Sequence, residues 1–435
     1  MARISVLIPV YNVERYLRQC LDSLIDQTFK DLEFICINDG STDSSLNILD
    51  EYAQRHSRFR IIDKPNSGYG ASMNCGLKEA TGEYIGILES DDFAEPDMFE
   101  ILFNAVESVQ TDVVKADNYR CKDGYSRSYY KNYPSCQYGA KLIPKENPEL
   151  FKRQSIWTAL YKRDFLYNEG IYFNETPGAS YQDISFNFKV MAKAREVFLI
   201  DKAIVNYRID NPNSSIHSHD KAMAIFDEFE EIRRYLEERC TKDAELNRIM
   251  SATEFYMCMG EYNRIGEEHR KSFLERLRND TTQAERLNYV NKEYWRKSDW
   301  AEKEELMSDI EKYENRKAEE TYSRKEAIKS FKDKLGCFGH IYIYGAGKVG
   351  DHVYDILASI DLKAEGFLVT ELKENETTKR GISVKEFDEC LFSQGDSICL
   401  IAVKNDDIDG ILRYVRAKGV KDAICMDSGF RNSFG

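Results

Sequence analysis

In the first ninety residues, short continuous apolar runs alternate with segments in which apolar residues are spaced among polar ones. Short apolar runs at residues 4–9, 32–37, 59–63 and 84–88 predict buried β-strands. Between them, apolar residues recur at intervals of three and four and predict helices, the first over residues 13–25 and another over residues 73–80. Strands that alternate with helices predict a parallel, doubly wound α/β sheet, whose ligand crevice lies at the carboxyl ends of the strands.

A cluster of acids follows the fourth predicted strand, at Glu89-Ser90-Asp91-Asp92. Neighbouring carboxylates repel one another, and their pKa values rise when nothing compensates their charge. A hard divalent cation together with a phosphate relieves that repulsion. The alternative is that Asp91 and Asp92 only cap the next helix, because Asp is a favoured capping residue.

Two further polar segments end predicted strands. Asp39 lies in the segment 38–43, where its carboxylate either stabilises an ordinary turn or accepts the imide N–H of a uracil base. The glycines of the segment 66–70 either turn the chain or allow the backbone to approach a diphosphate. Both segments fall at the edge of the sheet where the acid cluster is expected.

Taken in chain order, these motifs resemble those of the inverting nucleotide-sugar glycosyltransferases of family 2, which have the GT-A fold. The motifs are Pro9-Val10-Tyr11-Asn12, Asn38-Asp39-Gly40-Ser41-Thr42-Asp43, Asn66-Ser67-Gly68, Asn74-Cys75-Gly76, Ala80-Thr81-Gly82-Glu83-Tyr84 and Glu89-Ser90-Asp91-Asp92. The resemblance covers about the first half of the chain. It implies an α/β fold with a GT-A doubly wound, mostly parallel sheet.

The resemblance also implies roles for single residues on the donor side. Asp39 is then the acid that contacts uracil, Glu89 lies near the ribose, and Asp91 binds Mn²⁺ or Mg²⁺. Two residues depart from the family pattern: Glu89 stands where Asp is usual, and Met73 stands where Arg is common. The nucleotide site implied as a whole comprises Pro9, Val10, Tyr11, Asn12, Asp39, Asn66, Gly68, Glu89 and Ser90.

The acceptor side is expected around the start of a helix at Asp183. Asp183 either caps this helix or, as the resemblance implies, is the base that removes the proton of the acceptor hydroxyl. Gln182 replaces the first acid that the family commonly has here, and Tyr181 and Gln182 are expected to contact the acceptor. Trp157 either stacks on a sugar ring or packs in the core.

A polar loop with two histidines, His217 and His219, follows these segments. Neutral imidazole is a common metal ligand, whereas a histidine in a polar loop is often only solvated. In the family that the motifs resemble, a loop here closes over the diphosphate, sometimes with a histidine on the metal. The resemblance therefore implies His217 as a second metal ligand.

The rest of the chain divides into two further parts, which gives three predicted domains: a GT-A domain at residues 1–219, a helical region at 220–338 and a small α/β domain at 339–435. The helical region is amphipathic. Its charged faces are expected to be solvated, and its apolar stripes are expected either to dimerise or to rest on a membrane surface. The last part opens with the G-x-G-x-x-G motif at residues 345–350 after a predicted strand, which is typical of a Rossmann-like unit. Because no clear acid for a ribose follows about 20 residues later, we expect a degenerate module for assembly or substrate presentation rather than for NAD.

Composition excludes some classes of function. The net charge of −14 argues against a nucleic-acid partner, which requires a basic surface. The 11 cysteines show no metal-ligand spacing and are expected to be reduced, as in a cytoplasmic protein. No segment approaches the roughly 20 apolar residues that span a bilayer. We therefore expect a cytoplasmic protein with at most peripheral contact with the inner face of the plasma membrane, and a homo-oligomer through the helical or C-terminal region.

The leading functional hypothesis is a metal-dependent, inverting hexosyltransferase that uses a UDP-sugar. Its acceptor would be a hydroxyl group of a glycan or a lipid-linked saccharide, in the synthesis of a cell-surface polysaccharide. One alternative is an NAD-dependent oxidoreductase centred on residues 345–350. Another is a non-catalytic scaffold with a degenerate transferase domain, which the departures at Met73, Glu89 and Gln182 would allow.

Overall fold

The computed structural model describes residues 2–122, 126–212, 223–241, 243–262, 264–372, 377–379, 382–393 and 395–428. The chain divides into two compact units, Met1–Ile310 and Glu311–Gly435. The three-part division expected from the sequence, with boundaries at residues 219 and 338, stays a prediction.

The first unit is built on one mixed sheet. Its strands are β1 (Ile4–Val10), β2 (Leu32–Asp39), β3 (Phe59–Lys64), β4 (Tyr84–Ile87), β5 (Phe93–Ala94), β6 (Val113–Lys122), β7 (Ser126–Tyr130), β8 (Lys141–Leu142), β9 (Ala159–Lys162) and β10 (Val197–Arg208). They lie in the order β3-β2-β1-β4-β9-β6-β10-β5, with β7 beside β6 and β8 beside β10. The first four strands are parallel, as the sequence predicts, whereas β9 runs antiparallel to β4 and β6.

The order of the first four strands explains where the crevice lies. Strand β1 pairs with β2 on one side and with β4 on the other, so successive connections leave β1 in opposite directions. In open α/β sheets, ligands bind at the carboxyl ends of strands where the order reverses in this way. Asn12 follows β1, Asp39 ends β2 and Glu89 follows β4, so the predicted donor residues come to this edge.

The helices of the first unit cover its sheet or pack on one another. They are α1 (Glu14–Ile25), α2 (Ser45–Arg55), α3 (Tyr69–Glu79), α4 (Met98–Val109), α5 (Arg163–Asn168), α6 (Gln182–Lys193), α7 (Ala224–Arg239), α8 (Ala244–Tyr262), α9 (Glu267–Arg286) and α10 (Lys297–Ser308). All residues of β1 are buried, as expected for a parallel strand covered on both faces. Cys20 and Cys36 are buried in the same core.

The helices after β10 bury their apolar stripes within the first unit. On α7, Ile225, Phe229, Ile232 and Leu236 are all buried, and α9 buries Phe273 in the same way. These stripes therefore pack inward. Among the described residues, no helix is both long enough and apolar enough to cross a bilayer.

The second unit contains a separate, mostly parallel sheet. Its elements are α11 (Ile310–Leu335), β11 (His340–Tyr344), α12 (Lys348–Ser359), β12 (Gly366–Val369), β13 (Thr378–Lys379), β14 (Ile382–Glu386), β15 (Ser397–Ile401), α13 (Asn405–Ala417) and β16 (Ala423–Cys425). The strand order is β13-β14-β12-β11-β15-β16, and among these pairs only β13 with β14 is antiparallel in the described part.

The glycines of residues 345–350 connect β11 to α12, as the motif predicts. Gly345 has a φ of +113°, and a Cβ atom on Gly350 would lie 1.9 Å from the carbonyl oxygen of Gly345. The glycines therefore let the helix start close to the strand. The Rossmann-like character of this unit stays a prediction.

Candidate active site

Asp39 organises the loop after β3. Its side chain is buried and accepts hydrogen bonds from the backbone N–H of Ser67 at 2.8 Å and of Gly68 at 2.9 Å. The ammonium group of Lys64 also contacts its carboxylate. Gly68 has a φ of +93°, which an L side chain rarely adopts. Asp39 thus shapes the segment that was predicted to approach a diphosphate, whereas sequence reasoning missed Lys64.

Asn12 ties the end of β1 to the loop after β2. It has a φ of 52°, and its side-chain oxygen accepts a hydrogen bond from the N–H of Thr42 at 2.7 Å. Its own N–H donates to Ser41 Oγ at 3.1 Å. Within the same motif, the side chain of Tyr11 is half exposed at the crevice edge. The other two predicted nucleotide-binding residues of this motif, Pro9 and Val10, are buried in β1.

Glu89 is held by a tyrosine from the glycine loop. The hydroxyl of Tyr69, at the start of α3, donates to Glu89 Oε1 over 2.7 Å. Burial raises the pKa of Glu89 to about 8, and repulsion from Asp91 and Asp183 adds to this rise, while the hydrogen bond from Tyr69 opposes it. Asn66, in the same loop, is exposed.

The two aspartates after Glu89 have different surroundings. Asp91 is half-buried and accepts a hydrogen bond from Asn211 Nδ2 at 2.8 Å through Oδ2. Asp92 is buried and accepts the N–H of Arg208 at 2.7 Å, and burial raises its pKa well above the usual range. Its second carboxylate oxygen has no hydrogen-bond partner among the described residues. Ser90, between the acids, is buried.

These acids do not cap the next helix. Strand β5 follows them directly, and the residue that precedes α4 is Asp97. The capping alternative for Asp91 and Asp92 is therefore wrong. The guanidinium group of Arg208 lies beside the acid cluster, since its Nε donates to the carbonyl oxygen of Asp91 at 2.9 Å. Sequence reasoning gave Arg208 no role.

Asp183 lies in the first turn of α6 and is half-buried. Burial raises its pKa to about 7, although the backbone N–H groups of Asp183 and Ile184 stabilise the ionised form. Glu261 raises the pKa further by repulsion, and the ammonium group of Lys115 lowers it. The carboxylate is thus poised to change its protonation near neutral pH.

The loop before α6 packs on the glycine loop of the donor side. A Cβ atom on Gly70 would lie 1.9 Å from the carbonyl oxygen of Asn174, so only glycine fits there. The N–H of Tyr69 donates to the carbonyl oxygen of Gly178 at 2.9 Å. The two predicted halves of the site are therefore in direct contact.

The predicted acceptor residues hold this loop. Gln182 is buried, and its side chain accepts from the N–H of Ser180 at 2.6 Å and donates to Thr176 Oγ1 at 2.8 Å. The hydroxyl of Tyr181 donates to Glu261 Oε2 at 3.0 Å. Acceptor contacts by Tyr181 and Gln182 stay predictions.

Tyr207 lies among the acids and against Trp157. The rings of Trp157 and Tyr207 stack with centroids 5.1 Å apart and planes 3° apart. Besides burial, repulsion from the surrounding acids raises the pKa of Tyr207; these acids are Asp92, Asp91, Asp183 and Glu89. One face of Trp157 is thus covered by Tyr207, and its sugar contact stays a prediction. His217, the other predicted metal ligand, lies outside the described residues together with His219.

Residues 5–168 match the family model described as Glycosyl transferase family 2. The first unit therefore contains a segment similar to family 2 glycosyltransferases. Asp183 lies beyond the matched residues, so its assignment depends on its position in the structure and on the resemblance.

Curated glycosyltransferases are similar to this chain over part of their length. The chain is 33% identical over 218 residues to the uncharacterized glycosyltransferase EpsJ of Bacillus subtilis (strain 168), an alignment that covers 48% of this chain and 62% of EpsJ. It is 44% identical over 98 residues to a chondroitin synthase of Escherichia coli, which covers 22% of this chain and 14% of that enzyme. The chain thus spans less than two thirds of these relatives.

A solved structure is similar in fold. Residues 1–349 of S. aureus TarS, in complex with UDP-GlcNAc, superpose with a TM-score of 0.55 and 20% identity, over 68% of this chain and 83% of that chain. This likeness confirms the predicted GT-A type of α/β fold.

The crevice of the first unit offers oxygen ligands for a divalent cation. No group of three or more His, Cys, Asp and Glu residues is arranged to hold a metal by itself in the part of the chain that the structure describes. Mg²⁺ is usually held by one or two carboxylates together with substrate phosphates rather than by a complete protein cage. The half-buried carboxylate of Asp91 and the unpartnered oxygen of Asp92 fit a hard cation of this kind.

Proposed function

We propose that this protein transfers a sugar from a UDP-sugar to a hydroxyl group of a glycan or lipid-linked saccharide, with inversion at the anomeric carbon. The observation that carries the proposal is the meeting of Asp183 with Glu89 and Asp91 around Tyr207, at the crevice of a family 2 glycosyltransferase domain. The acids that would hold the donor and the acid that would activate the acceptor thus lie within electrostatic reach of the same tyrosine.

On the donor side, one side chain can accept a hydrogen bond from the uracil base and a neighbouring one can donate a hydrogen bond to it. Asp39 would accept the imide N–H of uracil, and Lys64, which contacts Asp39, offers an ammonium donor beside it. Because the N–H groups of Ser67 and Gly68 are bonded to Asp39, the loop at Gly68 would allow close approach of the backbone to the diphosphate rather than supply free N–H donors. TarS, which has the same fold, was solved with UDP-GlcNAc and with UDP, and this supports a uridine nucleotide.

Asp91 would hold Mn²⁺ or Mg²⁺ together with the donor phosphates, and His217 stays a predicted second ligand. When bound, the cation supplies charge neutralisation for the diphosphate that leaves. Glu89, fixed by Tyr69, would accept a hydrogen bond from the ribose. A chondroitin synthase among the relatives supports a role in polysaccharide synthesis.

Asp183 would act as the general base. It would take the proton of the acceptor hydroxyl while the acceptor oxygen bonds to the anomeric carbon and the bond from that carbon to the UDP oxygen breaks. This single displacement inverts the anomeric centre. Because burial raises the pKa of Asp183 to about 7, its carboxylate is basic enough to accept a proton near neutral pH.

The test is release of UDP from a panel of UDP-glucose, UDP-galactose, UDP-GlcNAc, UDP-GalNAc and UDP-glucuronic acid with Mn²⁺, with water as the acceptor. We expect release from at least one donor, and Asp183→Asn should lower it about 100-fold or more, as loss of a general base does. UDP affinity, measured by calorimetry, should stay unchanged. Asp164→Asn is a matched control, because that side chain on α5 is exposed.

Two outcomes would contradict the proposal. Absence of UDP release from every donor would remove the transferase activity and favour the scaffold hypothesis. Undiminished release by Asp183→Asn would remove Asp183 as the base. For the second unit we propose a Rossmann-like module used in assembly or substrate presentation, and calorimetric binding of NAD would instead support the oxidoreductase hypothesis.

A further inference from the structure

The residue before Gln182 and Asp183 has an unusual backbone conformation. Tyr181 precedes α6 with a φ of 64°, in the left-handed region. A non-glycine residue in this region is strained, and such strain persists only where surrounding contacts hold it. The direction in which α6 begins, and hence the position of Asp183 in its first turn, therefore depends on what holds Tyr181.

The contact at the far end of the Tyr181 side chain comes from α8. The Tyr181 hydroxyl donates to Glu261 Oε2 at 3.0 Å. Glu261 is fixed in turn by Arg264, whose Nη1 donates to its Oε1 at 2.9 Å. Glu261 lies well outside residues 5–168, which match the family model. The clamp is thus built by a helix beyond the matched domain.

We propose that Glu261 is a positioning residue for Asp183, acting through Tyr181, so that α8 completes the acceptor side of the site. This inference rests on the proposed role of Asp183 as the base. Glu261 does not itself touch the acceptor. Its carboxylate fixes the Tyr181 ring, the ring fixes the left-handed residue, and that residue sets the start of α6.

Glu261 also acts on Asp183 through its charge. The repulsion between the two carboxylates favours the protonated form of Asp183. A change at Glu261 thus alters both position and charge, and different substitutions separate the two. The other titratable groups that interact electrostatically with Asp183 are Tyr181 itself, Tyr69 on α3, Glu89 after β4, Lys115 on β6, Tyr207 on β10 and Glu228 on α7.

Tyr181→Phe tests the position alone, because it removes the hydroxyl and leaves every charge in place. With the UDP-sugar that gives the fastest UDP release, kcat should fall about tenfold, since misplacing a catalytic group by even 1 Å is costly. The KM for the donor should stay within about twofold, because the donor side is untouched. Tyr235→Phe is the matched control, since it also removes one tyrosine hydrogen bond, to the carbonyl oxygen of Glu169 at 2.8 Å.

Substitutions of Glu261 separate position from charge. Glu261→Ala should lose activity as Tyr181→Phe does. Glu261→Gln should restore most of it, because its amide oxygen can still accept the Tyr181 hydrogen bond. With the repulsion removed, the pKa of Asp183 falls, so the acid side of the kcat–pH profile of Glu261→Gln should move to lower pH.

Amide hydrogen exchange gives a readout that does not depend on turnover. In Tyr181→Phe, exchange should accelerate at residues 178–184 and stay unchanged in β1. A Tyr181→Phe enzyme with wild-type kcat and wild-type exchange, measured beside an inactive Asp183→Asn, would overturn the positioning role and leave the proposed function intact. Full activity of Asp183→Asn would overturn both.

Discussion

Tyr69 donates its hydroxyl hydrogen bond to Glu89 over 2.7 Å, and this bond joins the glycine loop to the acid cluster. This hydrogen bond explains physically why Glu stands at position 89, where Asp is usual. Its longer side chain reaches the Tyr69 hydroxyl, whereas Asp would be shorter by one methylene. The hydrogen bond also partly opposes the rise of the Glu89 pKa that burial causes.

We expect Tyr69→Phe to weaken Mn²⁺-dependent UDP binding about fivefold, the factor that corresponds to a lost hydrogen bond of ~1 kcal/mol. Glu89→Asp should have a similar effect, because it breaks the same contact. In the double variant the two losses should not add, and a calorimetric double-mutant cycle would measure this coupling. Tyr167→Phe is the control, since that ring is exposed. Additive losses would mean that the two residues act independently.

Asp39 gives a second prediction, about the choice of nucleotide. Asp39→Asn leaves one side-chain oxygen for the N–H groups of Ser67 and Gly68 and the ammonium group of Lys64. UDP affinity should fall at least tenfold, and the preference for UDP over CDP should narrow, because an amide no longer favours the imide N–H. Calorimetry with both nucleotides checks this.

The control for Asp39→Asn is Asp63→Asn at the end of the neighbouring strand. Asp63 accepts one hydrogen bond, from Asn38 Nδ2 at 2.7 Å, which an amide oxygen can still accept. UDP affinity should therefore change little in this variant. An unchanged UDP affinity in Asp39→Asn would show that Asp39 does not bind the uracil base.

Strands β1, β2 and β4 were predictable because they are buried almost throughout. A parallel strand covered on both faces needs a continuous apolar run, and β1 has one whose every residue is buried. The polar residues that end such strands must then meet at one edge. This reasoning located Asn12, Asp39 and Glu89 without any coordinates.

The remainder of the site depends on contacts between distant segments. Glu261 and Arg208 reach the site from elements whose local pattern indicates only a helix and a strand. Lys115 did leave a signal, because it stands inside the apolar run Val113-Val114-Lys115-Ala116. A lysine within a buried strand requires a specific partner, and sequence reasoning did not use this sign.

Lys115 gives a third prediction, on pH dependence. It is fully buried on β6, and its ammonium group donates to Asn187 Oδ1 at 2.9 Å and to the carbonyl oxygen of Arg153 at 3.2 Å. Burial lowers the pKa of Lys115 to about 7, while the carboxylate of Asp183 opposes this change. The cation in turn favours ionised Asp183.

Lys115→Met removes that attraction, so the pKa of Asp183 should rise above about 7. Because the base works only when ionised, the acid side of the kcat–pH profile should move to higher pH, opposite to the shift expected for Glu261→Gln. UDP release measured from pH 5 to pH 9 checks the direction. Lys78→Met, at an exposed position, is the control. An unmoved acid side would mean that the profile reports a group other than Asp183.

A pair of glycine substitutions tests the contact between the donor and acceptor loops. Gly70, in the first turn of α3, has no room for a Cβ atom, which would lie 1.9 Å from the carbonyl oxygen of Asn174. Gly260, in α8, is exposed and has no atom within 4 Å of such a Cβ. Both glycines lie in helices, so the two substitutions by alanine differ in the space available to the added methyl group.

Gly70→Ala should therefore lower the free energy of unfolding by about 1–3 kcal/mol through overpacking. Gly260→Ala should raise it by about 0.5–1 kcal/mol, because alanine is the better helix former. Urea unfolding of both variants checks the signs. Because the displaced segment at Asn174 leads to Asp183, UDP release by folded Gly70→Ala should also fall, whereas Gly260→Ala should retain it. Wild-type release and stability in Gly70→Ala would show that the two loops do not depend on each other.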